Sequence, residues 1–312
     1  MNKLRMLLVV AAGALLMVAS APAQDGSAQG YGQTVVTVLP AHPKEWTGHF
    51  SPRNVNVKVA GKEAKVTGWK SWRDADVPTQ LVLLIDGSAR MSLGAQLGDI
   101  RNFVKEMPAH TKMAIAYMTY GRAVMATPLS SNPQEVLRGL HLPDDFRYGN
   151  ASPYFCLSSL AKRWPSQDRT ARRVVVMITD GVDEYETRYD PEDPYVLSAI
   201  HDSIRAGLIV YAIYWRNRGF GGFGSYQSYD GQNLLSEVTE ATGGENFWIG
   251  SGDPVALEPF FKKLKMDLNN QYELSFSAPH KGKPEIESLH LKMSVPSAKV
   301  LVPQEVYVGS NG

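Results

Sequence analysis

The pattern of apolar and polar positions changes twice along the chain. Near both ends it alternates with period two, as in Thr34–Leu39 and Leu289–Val295, which is typical of strands with one face in solvent. Between the ends, short continuous apolar runs alternate with segments of helical periodicity, which is typical of parallel strands buried on both faces. The apolar runs are Gln80–Ile85, Met113–Met118, Arg173–Thr179, Leu208–Tyr214 and Asn246–Ile249.

This pattern predicts an α/β fold class. We expect a doubly wound, mostly parallel sheet over residues 80–270, flanked by a small β module. The module is built from an N-terminal β segment, residues 34–75, and a C-terminal β segment, residues 271–312, which could pair into a sandwich. Helices are predicted near 132–140, 153–163, 194–206, 231–242 and 253–268, and another begins at Leu93.

The first 23 residues have the composition of a secretory signal peptide. Lys3 and Arg5 precede an apolar run from Met6 to Val18, and small residues follow in Ala21–Ala23. An uncleaved anchor is the competing interpretation, but the run is shorter than the roughly 20 residues that cross a bilayer. We therefore expect export, cleavage near Ala23, a periplasmic or secreted mature protein without a membrane span, and a flexible leader over residues 24–33, where Gly, Ser and Gln are frequent.

Charge and cysteine content exclude some classes of function. Loss of residues 1–23 would remove two basic residues and no acid, so the net charge would change from +1 to −1. With no basic run interleaved with aromatics, this balance argues against nucleic-acid binding. Cys156 is the only cysteine, so an exported chain has no internal disulfide. Its apolar neighbours favour a buried thiol over a reactive one.

Two carboxylates follow buried strands of the predicted sheet. Asp86 comes directly after Leu83–Ile85, and Asp180 comes directly after Met177–Thr179. Because the carboxyl ends of parallel strands meet at one crevice, we expect both side chains there, and two close carboxylates favour a cation between them. With the hydroxyl of Ser88 they form an all-oxygen set suited to Mg²⁺ or Ca²⁺. The alternative is that both aspartates cap loops and helices.

These motifs resemble the von Willebrand factor A (VWA) family and its metal-ion-dependent adhesion site (MIDAS). The resemblance covers about residues 80–270 and rests on Asp86-Gly87-Ser88 and Ile178-Thr179-Asp180-Gly181 in that order. Thr242-Gly243-Gly244 is similar to the turn before the last VWA strand. The flanking segments Val55–Trp72 and Gln271–Phe276 resemble those of bacterial VWFA-related proteins.

The resemblance implies a five-residue MIDAS motif that this sequence matches only in part. Arg90 stands where the family has a second serine, and Ala151 stands where it has a threonine, with Ser152 one residue later. Asp86, Ser88 and Asp180, with Ser152 as a weaker candidate, are therefore the predicted ligands of a degenerate site. Arg90 offers a metal-free alternative, since its guanidinium could bridge Asp86 and Asp180 or donate a pair of hydrogen bonds to a partner's carboxylate.

Two loops are expected beside the same crevice. The first is acidic and begins with Asp183 and Glu184; the second, from Arg216 to Gly231, contains Phe220, Phe223 and Tyr226. Together with Arg90, these residues are the predicted contacts for a partner. The alternatives are a solvated acidic loop for the first and a disordered surface insertion for the second.

The resemblance implies an exported protein-binding or adhesion module that captures a protein partner at this crevice. No catalytic function is expected, because the seven histidines are scattered and none of the common catalytic motifs occurs. A structural spacer with an inert crevice is the main alternative, and a hydrolytic enzyme is a further one.

Overall fold

The computed structural model describes residues 28–40, 51–75, 77–87, 93–142, 152–183, 185–186, 189–216, 225–250, 252–293 and 298–310. Among these, the side chains of residues 28 and 225–227 are not described. The predicted signal peptide lies outside the described residues.

The described residues form thirteen strands and six α-helices. The strands are β1 (Ala28–Pro40), β2 (Val55–Val59), β3 (Lys62–Ser71), β4 (Thr79–Asp86), β5 (Thr111–Thr119), β6 (Arg122–Met125), β7 (Arg172–Thr179), β8 (Leu208–Tyr214), β9 (Asn246–Phe247), β10 (Gln271–His280), β11 (Glu285–Met293), β12 (Ala298–Leu301) and β13 (Glu305–Gly309). The helices are α1 (Leu97–Glu106), α2 (Pro133–Leu137), α3 (Pro153–Lys162), α4 (Pro194–Ala206), α5 (Ser225–Thr242) and α6 (Glu258–Asn269), and short 3₁₀ helices span Pro52–Asn54 and Gly94–Gln96.

Strands from the two ends of the chain form a closed antiparallel barrel. Its order is β10–β3–β2–β11–β13–β1, and β1 also pairs with β10, which closes the ring. Strand β12 adds to β1 outside the ring. The alternating residues of these strands point inward, so Val36, Val57, Leu274 and Phe276 are buried in one core.

The central strands form a six-stranded mixed sheet in the order β6–β5–β4–β7–β8–β9. Its neighbours pair in parallel except β6, which runs antiparallel to β5. Helices α1, α2 and α6 pack on one face, and α3, α4 and α5 pack on the other. Both faces are therefore dry, which explains why β4, β7 and β8 are apolar along nearly their whole length.

The predicted fold class, a doubly wound and mostly parallel sheet with a small β module beside it, is wrong. The larger sheet is antiparallel and six of its strands close into a barrel, while the second sheet is mixed. Period-two alternation identified the strands correctly as strands. It carries no information on which strand pairs with which, and closure depends on pairing β1 with β10 from opposite ends of the chain.

Strand β1 begins at Ala28, inside the segment that composition assigned to a flexible leader. Gly32 lies directly opposite Phe276 in the β1–β10 ladder. A Cβ atom at Gly32 would overlap the Phe276 ring, which is 1% exposed. A glycine that suggests flexibility in the sequence is therefore used for close packing inside the barrel.

None of the described helices is both long and apolar enough to cross a bilayer.

We predict that Gly32→Ala lowers the free energy of unfolding by about 1–3 kcal/mol, because the added methyl group displaces the buried Phe276 ring. Urea unfolding at equilibrium measures the change. The matched control is Gly98→Ala in α1, where an added Cβ meets no atom within 4 Å and should stabilise the helix by up to about 1 kcal/mol. Equal effects of the two substitutions would contradict the barrel packing.

Candidate functional site

The last residues of two neighbouring parallel strands lie side by side. Asp86 ends β4, Thr179 ends β7, and the two strands are in register up to Ile85 and Ile178. Asp86 is 3% exposed and Asp180, which follows Thr179, is 6% exposed. The structure thus brings the two predicted carboxylates to the carboxyl edge of the same pair of strands.

Thr179 connects the two strand ends. Its hydroxyl donates to Asp86 Oδ2 at 2.6 Å and accepts from the backbone N–H of Gly181 at 3.2 Å. The side chain is fully buried, so both hydrogen bonds form away from water. Thr179 was named from the sequence only as part of a motif. A hydroxyl residue at the end of an apolar strand, directly before an aspartate, is the sequence feature that could have identified it as a site residue.

The loop after β7 is held by its own aspartates. Asp180 Oδ1 accepts from the backbone N–H of Val182 at 3.0 Å, and Asp183 Oδ1 accepts from that of Tyr185 at 2.8 Å. Asp183 is only 2% exposed. Its carboxylate therefore shapes the loop, and its predicted contact with a partner stays a prediction.

Ser152 fixes the start of α3 and reaches across to this loop. Its Oγ accepts from the backbone N–H of Tyr154 as the N-cap and donates to Asp183 Oδ2 at 2.9 Å. The Tyr154 hydroxyl donates to the carbonyl oxygen of Gly181 at 2.7 Å. Ser152 and Tyr154, at the start of α3, thus bind the loop that follows β7, a pairing that spans some thirty residues and leaves no trace in local periodicity.

Burial and negative charge dominate the electrostatics of the site. Burial raises the pKa of the Asp183 carboxyl, against the effect of its hydrogen bonds from Tyr185 and Ser152. The pKa of Tyr154 is raised by burial and by the charges of Asp183 and Asp180. Burial and the charge of Asp86 also raise the pKa of the Cys156 thiol. The predicted burial of Cys156 is confirmed, and the raised pKa keeps the thiol protonated.

Helix α5 closes the site from the side. A Cβ atom at Gly231 would overlap the carbonyl oxygen of Asp180, so only glycine allows the helix to approach this closely. The helix begins at Ser225, whereas the sequence predicted a loop as far as Gly231. The glycine that suggested a loop is needed for this contact.

Four aromatic residues surround the loop ends, and we name them the aromatic rim: Tyr120, Phe155, Tyr185 and Tyr195. The ring of Phe155 meets Tyr185 and Tyr195 edge to face, with centroids 5.2 and 4.8 Å apart. Tyr120 lies in the β5–β6 turn beside Gly121, which packs against Phe155. The three tyrosines are 43–66% exposed. None of the four was predicted as a site residue, because they are spread over four separate segments.

Several predicted site residues lie outside the described residues: Ser88, Arg90, Glu184, Phe220 and Phe223. Tyr226 is in the first turn of α5, and its side chain is not described.

Three of the predicted metal ligands are among the described residues. Asp86, Asp180 and Ser152 supply two carboxylates and a hydroxyl, and the Ser152 hydroxyl donates its proton to Asp183. Mg²⁺ and Ca²⁺ complete their coordination with water beside such protein oxygens, and Ser88, a further predicted ligand, lies outside the described residues. Within the described part of the chain there is no cluster of three His, Cys, Asp or Glu residues that could hold a metal ion. Metal binding at this edge of the sheet therefore stays a prediction.

No protein-family model and no curated protein matches the sequence. Among solved structures, an aerotolerance-related membrane protein from Bacteroides fragilis is 16% identical, with a TM-score of 0.44, and the match covers 61% of this chain and 98% of that chain. The SpRpn10 VWA domain is 12% identical, with a TM-score of 0.41 and coverage of 60% and 95%. The pilus adhesin SpaC from Lactobacillus rhamnosus GG is 9% identical, with a TM-score of 0.44, and the match covers 86% of this chain and 49% of the adhesin.

A VWA domain is thus among the solved structures that this chain resembles, as the motifs predicted. At TM-scores below 0.5 and identities of at most 16%, these likenesses carry no information on function.

We predict that Asp183→Asn gains stability relative to the native protein as the pH rises from 4 to 7. The folded protein holds the Asp183 proton more tightly than the unfolded chain does, because burial raises the pKa. The contribution of Asp183 to stability therefore falls as pH rises through that interval, and the amide does not ionise. Urea unfolding at both pH values measures the difference, with Asp190→Asn in an exposed part of the same loop as control. The opposite slope would show that hydrogen bonds from Ser152 and Tyr185 outweigh burial.

Proposed function

We propose that this chain is a protein-binding module whose partner contacts the aromatic rim. The observation that carries the proposal is the packing and exposure of the aromatic rim. Phe155, Tyr185 and Tyr195 pack edge to face, and the three tyrosines of the rim are exposed beside a loop held by buried carboxylates. Tyrosine is enriched at protein interfaces because its ring offers a large contact area with few rotatable bonds. Burying three exposed tyrosines against a partner removes apolar surface that the free protein leaves in water.

The rim is held in place before a partner arrives. The backbone N–H of Tyr185 donates to Asp183, and that of Tyr195 donates to Asp193 at 2.7 Å. Phe155 lies in α3, which Ser152 caps. Tyr185 and Tyr195 are thus bonded to buried carboxylates, and Phe155 lies in a helix whose N-cap is buried, which lowers the conformational entropy lost on binding.

The backbone at Tyr120 supports the same surface. Tyr120 has a φ of +50° and Gly121 a φ of +68°, the pair of left-handed conformations that a two-residue hairpin turn requires. A bulky residue in this region costs free energy, of order 1–3 kcal/mol, where asparagine or glycine would be cheaper. Tyr120 is 62% exposed, so most of its side chain lies at the surface, and contact with a partner accounts for a conformationally costly residue there.

The charge around the rim indicates what the partner presents. Glu186, Asp190 and Glu192 are exposed on the loop that carries Tyr185. A partner surface with Lys or Arg side chains complements these charges and can place a cation over the tyrosine rings. The proposal requires neither a metal ion nor a catalytic step. It includes export, for which the segment from Lys3 to Ala23 is the support.

We predict that Tyr185→Ala weakens capture of the partner at least about tenfold, as for a residue at the centre of an interface. The native mature protein is immobilised, exposed to a surface extract of the source cells, and bound proteins are quantified by mass spectrometry. Tyr31→Ala is the matched control, because Tyr31 is an exposed tyrosine on the barrel. Each capture is repeated with a chelator.

Loss of a bound protein in Tyr185→Ala, with retention in Tyr31→Ala, supports the aromatic rim. Equal capture by both variants contradicts it. If the native protein retains nothing specific, the chain is better explained as a structural spacer. Capture that a chelator abolishes would contradict a contact that is independent of metal.

A further inference from the structure

A cavity of about 400 Å³ lies between the barrel and the mixed sheet, at the amino ends of β7 and β8. This is the opposite end of the parallel strands from the aromatic rim. Its size falls in the range of small-molecule sites, which often form where two structural units meet. The lining residues that matter for its chemistry are Lys70, Trp72, Arg169, Arg172, Arg173 and Glu273.

Arg172 places a buried positive charge at the cavity. Its guanidinium donates four hydrogen bonds, all to uncharged oxygens: two to the Thr79 hydroxyl, one to the Leu268 carbonyl and one to the Gln271 amide. Its charge also lies 5.3 Å from the centre of the Trp72 ring. Burial lowers the pKa of Arg172 to about 10, which leaves it charged at neutral pH. Among the described residues this buried charge is held by neutral groups, which favours a nearby anion.

Arg173 adds a second buried guanidinium. It donates to the backbone carbonyls of Ser166, Asp168 and Ala206, and its Nε–H has no acceptor among the described residues. Burial and the neighbouring charge of Arg169 lower its pKa, and the charge of Asp168 acts in the opposite direction. The guanidinium groups of Arg169 and Arg173 are therefore close enough for each to disfavour the positive charge of the other.

The cations at the cavity mouth are available to a ligand. Lys70 and Arg169 are exposed, and neither side chain forms a hydrogen bond or ion pair in the described part of the chain. Lys70 lies directly opposite Glu273 in the β3–β10 ladder. The two lining carboxylates have other contacts: Glu273 accepts from Trp72 Nε1 at 3.1 Å, and Glu305 faces His201 at 3.6 Å. Four cations thus face two carboxylates.

We propose that this cavity binds a small organic anion, whose carboxylate or phosphate group pairs with Lys70 and Arg169 and whose apolar body lies against Trp72. Guanidinium groups bind both kinds of oxyanion through paired N–H donors. The positive field of Arg172 and Arg173 favours the anion, and the exposed pair provides the direct contacts. Because the cavity is far from the aromatic rim along the strands, this binding is independent of the proposed capture of a protein.

Calorimetric titration at low salt tests the proposal with four probes: benzoate, phenyl phosphate, inorganic phosphate and benzyl alcohol. The native protein should bind at least one aromatic anion with a stoichiometry of one, and should bind that anion more tightly than inorganic phosphate or benzyl alcohol. The variant Lys70→Ala/Arg169→Ala should bind it at least about tenfold more weakly, equivalent to about 1.4 kcal/mol. The matched control, Lys65→Ala/Arg138→Ala, removes the same charge at exposed positions that do not line the cavity and should bind as the native protein does.

The proposal is overturned if neither aromatic anion binds at millimolar concentration, or if the control variant loses as much affinity as the test variant. It is also overturned if inorganic phosphate or benzyl alcohol binds as tightly as the aromatic anions, since the anion and the apolar body are then not both required. Thermal unfolding of both variants confirms that each remains folded, as expected for substitutions at exposed side chains.

Discussion

The hydrogen bond from Thr179 to Asp86 is the contact on which the carboxyl edge of the mixed sheet depends. Strands β4 and β7 are apolar and dry on both faces, so the buried polar groups at their ends need hydrogen-bond partners within the protein. Thr179 meets this requirement by donating to a carboxylate and accepting from the next loop. The loop that carries Asp180, Asp183 and Tyr185 starts at this bonded pair of strand ends.

The sequence predicted the carboxyl edge of the mixed sheet well, because the patterns that mark the strands and their ends are local. Continuous apolar runs correctly located β4, β5, β7 and β8, and the first polar residue after β4 and after β7 marked the end of each strand. Contacts between distant segments were not predictable in the same way. The bond from Ser152 to Asp183 joins a helix cap to a loop, and hydropathy patterns record neither the pairing nor its geometry.

The misplaced elements have a common physical cause. Glycine was interpreted as flexibility in the leader and in the loop before α5. In the folded chain Gly32 admits the Phe276 ring and Gly231 admits the backbone of Asp180. A single sequence shows that glycine has no side chain, but it does not show which atoms of the folded chain occupy the space next to the glycine. Closure of the barrel was missed for a related reason. Alternation of apolar and polar residues describes a single strand, whereas closure depends on how six strands pair.

The two ends of the parallel strands differ in charge. Buried aspartates gather at the carboxyl ends, and arginines gather at the amino ends around the cavity next to the barrel. This separation allows one compact chain to offer surfaces of opposite character. In our account, the acidic end presents tyrosines held in place by buried hydrogen bonds, and the basic end encloses a pocket.

The central claim is that the rim is pre-organised by side-chain acceptors, and residue-resolved amide hydrogen exchange of the native protein tests it most directly. The backbone N–H groups of Gly181, Val182 and Tyr185 donate to Thr179, Asp180 and Asp183. We expect them to exchange at least about 100-fold more slowly than in an unstructured peptide, which corresponds to an opening free energy of about 3 kcal/mol. Exchange at the rate of an unstructured peptide would contradict the account, because the aromatic rim would then have no fixed support.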